Sequence, residues 1–225
     1  MSEATAEKAV EGAAPATAAA AHAPVKSDPW YGGVAPFGTD SKKFGMWLFI
    51  MSDSITFAAI LMAYTYMRIA DPDWPLVFNA QSVVLSTIMT FVLLSSSLTM
   101  VLGVAAAEAG KRKRAAAWIF ATAFGGVAFT VIHAWEWSHV IHDLPEGAMP
   151  MMWGCFFAAT GMHMLHVTIG VGYLVILGLA YLSGKFKPVD VEVAGLYWHF
   201  VDLVWMFVFP LIYLMSTDMT KGFGH

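Results

Sequence analysis

Residues 197–214 read YWHFVDLVWMFVFPLIYL, an apolar stretch that carries an imidazole at His199 and a carboxylate at Asp202. The surrounding apolar segment, about residues 192–216, is long enough to cross a bilayer, which takes about 20 apolar residues in an α-helix. His199 and Asp202 are three residues apart and therefore share one face of that helix. Such groups are expensive in lipid, so we expect this face to contact protein, water or a charged partner.

Four further apolar segments precede this stretch, at about residues 44–67, 83–107, 115–140 and 151–182. The chain is 58% hydrophobic and only 12% charged, whereas a soluble domain is nearer to a quarter charged. Because a helix satisfies its own backbone hydrogen bonds in lipid, each segment predicts a transmembrane helix. The predicted fold class is all-α, an integral membrane bundle of five transmembrane helices.

The chain divides by composition into two parts. Residues 1–40 are polar and rich in alanine and proline, which is typical of a disordered arm; the alternative is an arm that docks on a partner. Residues 41–225 contain the five apolar segments and form the predicted membrane domain. The Gly125-Gly126 pair in the third segment predicts a packing notch or a kink.

The distribution of cations predicts the orientation. With five spans, ten of the twelve lysines and arginines lie on one side of the membrane, whereas Arg68 and Lys221 lie on the other. The positive-inside rule therefore predicts a cytoplasmic amino terminus and a periplasmic carboxyl terminus. The ten are Lys8, Lys26, Lys42, Lys43, Lys111, Arg112, Lys113, Arg114, Lys185 and Lys187.

Asp53 lies in the middle of the first predicted span. One interpretation is a hydrogen-bonded carboxyl that locks two helices together. The other is a proton-exchanging site, because burial disfavours the charged form of a carboxyl. The second span has a row of hydroxyl side chains near one helical face, the hydroxyl stripe. It is interpreted either as interhelical packing or as a hydrophilic conduction path. Its residues are Ser82, Ser86, Thr90 and Ser97.

Two i,i+3 pairs place more polar groups inside the bundle. His133 and Glu136 end the third span, and His163 and His166 lie in the fourth. Inward Glu and His sets occur in di-metal helical bundles, so a free-standing membrane metalloenzyme is one hypothesis. The other is a structural polar network between helices. An autonomous proton conductor, built on Asp53 and the hydroxyl stripe, is a further possibility.

Redox centres are disfavoured by the residue counts. Cys155 is the single cysteine, which excludes an internal disulfide and any site that needs two thiolates. Histidines in apolar helices are usual haem ligands, but those of this chain form no recognisable paired haem signature. We therefore expect no catalytic residue, metal or redox cofactor in this chain.

Three motifs resemble subunit III of the haem–copper oxidases, the family best known from cytochrome c oxidase. They are YWHFVDLVW at residues 197–205, ATGMHMLHVTIG at residues 159–170 and WLFIMSD at residues 47–53, and the resemblance covers about residues 40–216. Glu136 falls where the family has a glutamate in a helix that faces a lipid-filled cleft. The chain departs from the family in having Asp53 where a glutamate is usual, and five spans where many members have seven.

The resemblance implies a non-redox accessory subunit of a proton-pumping terminal oxidase in a bacterial plasma (inner) membrane. In that family subunit III lies against subunit I, together with subunit II and possibly small subunits, and the partner subunits carry the haem and copper. It stabilises subunit I and supports proton uptake while oxygen is reduced to water, and bound phospholipid is expected.

The resemblance also leaves alternatives and assigns candidate residues. The equivalent subunit of a quinol oxidase, or a protein associated with nitric oxide reductase, remains an alternative, and no nucleic-acid partner is expected. Asp53 is the candidate for proton or lipid coupling. The predicted intramembrane polar network consists of His133, Glu136, His163, His166, His199 and Asp202.

Overall fold

The computed structural model describes residues 41–142 and 151–218. Within them the chain forms five long helices: α1 Ser41–Ala70, α2 Ala80–Glu108, α3 Arg112–His142, α4 Met151–Leu182 and α5 Pro188–Val208. Each of these five elements, α5 with its continuation to Ser216, is long and apolar enough to cross a membrane. The predicted all-α bundle of five spans is confirmed, whereas the predicted arm at residues 1–40 lies outside the described residues.

The fifth span is not one continuous α-helix. After α5 the chain continues as a π-helical turn, Phe209–Tyr213, and a 3₁₀ turn, Leu214–Ser216. Pro210 lies at the start of the π turn, and proline has no N–H to donate and clashes with the preceding turn. The helical span predicted over about residues 192–216 is confirmed, and its hydrogen-bond register changes at Phe209.

Two short connections contain a glycine in the left-handed conformation. Gly110 and Gly184 follow α2 and α4 with φ values of 71° and 79°, the left-handed conformation that glycine adopts without a Cβ penalty. Both connections turn the chain back into the bundle within a few residues. Because helices alternate in direction, these two turns and the start of α1 lie at the same end of the bundle.

Helix α5 forms the centre of the bundle. In the apolar part of the fifth span 50% of the residues are buried, whereas in that of α1 the share is 6%. Trp198 of α5 packs against the backbone of neighbouring helices, since a Cβ on Gly126 of α3 would lie 2.5 Å from its ring. A Cβ on Gly170 of α4 would lie 3.0 Å from the same ring. The packing notch predicted at Gly125-Gly126 is therefore confirmed.

Helix α1 buries little of its own surface and has polar contacts at both ends. Only Phe57 and Tyr64 are buried in it. At its first turn, Lys42 and Lys43 pair with Asp190 and Glu192 of α5, each with an N–O distance of 2.5 Å. At the other end Arg68 donates to Oγ of Ser216, at 2.8 Å, and to the carbonyl of Met215. Charged contacts at both ends therefore attach α1 to the fifth span.

Candidate functional site: the polar groups inside the bundle

The carboxyl of Asp53 meets His166 between α1 and α4. Oδ2 of Asp53 lies 2.8 Å from Nε2 of His166, while Nδ1 of His166 lies 2.8 Å from the carbonyl oxygen of Met162. A carbonyl can only accept, so Nδ1 carries a proton and Nε2 of the neutral ring has only a lone pair. Oδ2 of Asp53 has no hydrogen-bond partner among the described residues, so the 2.8 Å approach is a close polar contact and not an aligned hydrogen bond.

Aromatic groups and a backbone bond position this pair. Phe57 contacts the imidazole edge-on, with ring centres 5.2 Å apart. Tyr197 of α5 donates from its hydroxyl to the carbonyl of His166 at 2.9 Å. The side chains of Asp53 and His166 remain 18% and 14% exposed, so the pair lies near the surface of the bundle rather than at its centre.

His133 and His163 form a separate cluster at the centre. Both are fully buried, and their ring centres lie 5.5 Å and 5.1 Å from Trp205. Phe129 contacts both imidazoles edge-on, at 5.4 Å and 5.6 Å. None of the four imidazole nitrogens has a hydrogen-bond partner among the described residues. The aromatic rings thus enclose two imidazoles that make no direct polar contact in this part of the chain.

Glu136 is bound by a residue that the sequence interpretation did not identify. The hydroxyl of Tyr213 donates to Oε2 of Glu136 at 2.9 Å, and both side chains are buried. Oε1 of Glu136 has no hydrogen-bond partner in the described part of the chain. The sequence did offer a signal for this contact. Tyr213 is a second tyrosine in the last apolar segment, and the hydroxyl of a buried tyrosine usually finds a polar partner.

His199 and Asp202 face α2 rather than the other histidines. Oγ of Ser97 lies 3.1 Å from Nδ1 of His199. Asp202 is buried, and its Oδ1 has no partner among the described residues. The expectation that this face of the fifth span contacts protein is confirmed by the contact with Ser97.

The hydroxyl stripe of α2 serves packing contacts. Ser86 and Thr90 donate to carbonyls one turn earlier in α2, each at 2.8 Å. Thr90 also accepts from Nε1 of Trp205 at 2.9 Å. Ser96, which the sequence interpretation missed, accepts from Nε1 of Trp198 at 3.0 Å. These bonds join α2 to both central tryptophans, in agreement with the packing interpretation.

The structure thus divides Asp53 and the predicted polar network into four groups. Asp53 with His166, His133 with His163, Glu136 with Tyr213, and His199 with Asp202 and Ser97 each have their own surroundings. Their arrangement suits the attachment of helices to one another. In the part of the chain that is described, no group of three or more His, Cys, Asp or Glu side chains could bind a metal ion.

Comparison with known proteins identifies relatives over most of the chain. Residues 25–217 match the family model described as cytochrome c oxidase subunit III. The chain is 32% identical over 180 residues to cytochrome c oxidase subunit 3 of Alkalihalophilus pseudofirmus, covering 78% of this chain and 87% of that protein.

Relatives named as quinol oxidase subunits match about as well. Cytochrome bo(3) ubiquinol oxidase subunit 3 of Pseudomonas aeruginosa is 31% identical over 179 residues, covering 77% of this chain and 84% of that protein. Quinol oxidase subunit 3 of Bacillus subtilis is 30% identical over 176 residues, covering 76% and 86%. Both kinds of electron donor are therefore represented among the relatives.

Proposed function

Because this chain belongs to the cytochrome c oxidase subunit III family, we propose that it is the non-redox accessory subunit of a proton-pumping haem–copper oxidase. In this role it lies against subunit I, beside subunit II, and stabilises subunit I while oxygen is reduced to water. The match over residues 25–217 carries the proposal. It agrees with the resemblance found in three sequence motifs, and the family assignment made from them is confirmed.

The haem and copper of the complex belong, in this proposal, to the partner subunits. The chemistry of the polar groups supports this assignment. Two of the four groups have side-chain hydrogen bonds to a hydroxyl, at Glu136 with Tyr213 and at His199 with Ser97. Such bonds anchor helices to one another. Bound phospholipid completes the proposed assembly, since much of the apolar surface of the helices is exposed.

Within this role, the Asp53–His166 pair is the candidate for supporting proton uptake. A carboxyl and an imidazole whose polar atoms lie 2.8 Å apart are close enough to pass a proton between them. Both groups are partly exposed at the surface of the bundle, so a polar group of a neighbouring subunit could reach them. The remaining groups, at His133, Glu136, His163, His199 and Asp202, act as attachments between helices.

The location follows from the same family and from the cations. The relatives from Alkalihalophilus, Pseudomonas and Bacillus are bacterial, which supports a multi-pass protein of a bacterial plasma membrane. The start of α1 and the two glycine turns at Gly110 and Gly184 carry most of the basic residues of the described chain. The positive-inside rule places that end in the cytoplasm.

The proposed function is tested by purifying the tagged chain from native membranes. We expect it to co-purify with a haem-containing subunit and with oxygen-consuming activity, and metal analysis of the separated chain to find no stoichiometric iron, zinc or copper. A stable native complex without a haem–copper subunit would overturn the proposal, and stoichiometric metal in this chain would favour the metalloenzyme alternative.

A second candidate concerns the electron donor. The relatives named quinol oxidase subunit 3 are about as similar as those named cytochrome c oxidase subunit 3. The same purified complex distinguishes the two, because it would be assayed with reduced cytochrome c and with a soluble quinol. Oxidation of the quinol alone would assign the chain to a quinol oxidase.

A further inference from the structure

Two turns at one end of the bundle carry a group of exposed cations. One turn joins α2 to α3 and the other joins α4 to α5. Their six lysines and arginines are all exposed and together form what we call the basic surface: Lys111, Arg112, Lys113, Arg114, Lys185 and Lys187. Glu108 is the single acidic residue within residues 108–114 and 183–187. The basic surface therefore has a large excess of positive charge.

Arg112 brings the two turns together. Its guanidinium carbon lies 5.7 Å from the centre of the Tyr181 ring, which is within the range of a cation–π contact. A Cβ on Gly184 would lie 2.7 Å from Nη1 of Arg112, so the turn after α4 passes directly against this side chain. The six cations therefore belong to one continuous surface rather than to two separate turns.

The cations of the basic surface are not neutralised by the described residues, unlike others at the same end of the bundle. Lys42 and Lys43 pair with Asp190 and Glu192 at the start of α5. None of the six cations of the basic surface forms an ion pair within residues 41–142 and 151–218. The carboxylates at the start of α5 are thus paired with α1, and the charge of the basic surface is left for a partner.

Three of the cations occupy an unfavourable place on their helix. Arg112, Lys113 and Arg114 form the first turn of α3, which contains no acidic residue. The N-terminus of a helix is the positive end of its dipole, which favours anions and disfavours cations. The positive-inside rule explains the sign of the charge at this end, but cations outside the first helical turn would satisfy it equally well. Departures from such local preferences are expected at functional sites.

The basic surface lies at the water-facing edge of the membrane. Helices α3 and α4 have 31 and 32 residues, which corresponds to about 46–48 Å at the rise of an α-helix. A bilayer with its headgroup regions is about 40–45 Å thick. The turns at the ends of these helices therefore reach the outer edge of the headgroups, where a water-exposed segment of a protein can approach them.

We propose that the basic surface docks an acidic, water-exposed segment of another polypeptide of the oxidase complex. Aspartate and glutamate side chains of this segment pair with the lysines and arginines, and carboxylates bind arginine with two parallel hydrogen bonds. They also offset the repulsion in the first turn of α3, because anions are favoured at that end of a helix. The inference deepens the proposed function by assigning a chemistry to one partner contact, and it rests on that function for the existence of the complex.

The test is crosslinking of the purified complex with a water-soluble carbodiimide, which joins a lysine amine directly to a carboxylate in contact with it. Lys42 and Asp190, with an N–O distance of 2.5 Å, are an internal control for the reaction. We expect mass spectrometry to find amide links from Lys113 or Lys185 to aspartate or glutamate of another subunit. The yield of these links should fall at high salt, because exposed ion pairs are screened.

Neutralising part of the basic surface separates docking from folding. Lys113→Gln/Arg114→Gln should lower the yield of links from Lys185 by about threefold to tenfold, the size expected from two exposed ion pairs. As a full chain in detergent this variant should unfold at an equal or higher temperature, because it removes cations from the positive end of α3. Lys43→Gln, which removes a cation already paired with Glu192, is the control and should leave the links from Lys185 unchanged.

The proposal would be overturned if the Lys42–Asp190 link forms and no link to another polypeptide does. The phosphate of an anionic lipid forms no amide with lysine, so a surface that binds only the membrane gives this result. Unchanged links from Lys185 in Lys113→Gln/Arg114→Gln, or unfolding of that variant at a lower temperature, would also overturn it. A purified complex without haem would count against the proposed oxidase function, whereas a haem-containing complex without these links would count against the docking alone.

Discussion

Oδ2 of Asp53 on α1 lies 2.8 Å from Nε2 of His166 on α4, while the other nitrogen of that ring donates to the carbonyl of Met162. The two side chains are thus in close polar contact, although Oδ2 of Asp53 has no aligned hydrogen bond among the described residues. This pair is also the polar contact that joins the middle of α1 to the bundle, between the ion pairs of Lys42 and Lys43 at one end and the bonds of Arg68 at the other. Attachment of α1 and the proposed proton exchange thus involve the same pair of side chains.

Substitutions of Asp53 separate these two roles. In Asp53→Asn the side-chain amide can donate to Nε2 of His166, so we expect the complex to keep its stability but to take up protons more slowly during turnover. In Asp53→Leu the contact is lost, and stability should fall by about 0.6–2 kcal/mol, the range for intramembrane hydrogen bonds. Thermal unfolding and proton uptake by the reconstituted complex measure the two effects.

His166→Leu is the control for this prediction. It should cost about as much stability as Asp53→Leu, and the double variant should cost little more than either, because both changes remove one contact. Equal loss of stability in Asp53→Asn and Asp53→Leu would contradict the expected hydrogen bond.

Removing the hydroxyl of Tyr213 should destabilise the bundle. In Tyr213→Phe the hydrogen bond to Oε2 of Glu136 is lost, and a buried polar group left without its partner costs about 1–3 kcal/mol. Unfolding of the purified chain in detergent measures this loss. Tyr66→Phe, which changes a 70% exposed side chain, should have no effect; a similar loss in both variants would show that the buried bond contributes nothing.

A methyl group at Gly126 should disturb the packing of Trp198. A Cβ there would lie 2.5 Å from the indole ring and from Val171, and overpacking of this kind costs about 1–3 kcal/mol. We expect Gly126→Ala to lower the unfolding temperature and the yield of assembled complex. Gly172→Ala, where the added atom meets nothing within 4 Å, should be neutral or stabilising, since alanine has the higher helix propensity. Equal effects at both positions would argue against the notch.

The two ion pairs at the start of α1 should differ in importance. Asp190 is buried, pairs with Lys42 and accepts from the backbone N–H of Lys187 at 2.8 Å, which caps α5. Asp190→Ala should therefore cost about 1–2 kcal/mol through the lost cap.

Glu192→Ala is the comparison, because Glu192 pairs with Lys43 without capping a helix. It should cost less than about 1 kcal/mol, and the loss should disappear in high salt. Unfolding of the chain in detergent at low and high salt measures both variants; a larger loss in Glu192→Ala would contradict the proposed cap.

The positions of the spans could be predicted because hydropathy and length alone decide which segments can cross lipid. The fourth helix has the predicted bounds, 151–182, and the other α-helices begin within four residues of the prediction. The π turn at Phe209–Tyr213 could not be predicted, since a hydropathy pattern measures how apolar a segment is and not its hydrogen-bond register.

The sequence by itself determined which charged and hydrogen-bonding side chains lie within the membrane. Hydropathy and length locate the spans, and the position of each polar residue within a span then follows directly. Its motifs also determined the family. The tertiary structure alone decided the partners, such as Tyr213 for Glu136 and His166 for Asp53. These partners lie on different helices, and the rotation of each helix is set by packing, as where Trp198 fills the space beside Gly126 and Gly170. Residues 197–214 therefore predict a membrane-spanning helix, but its neighbours determine what each polar group contacts.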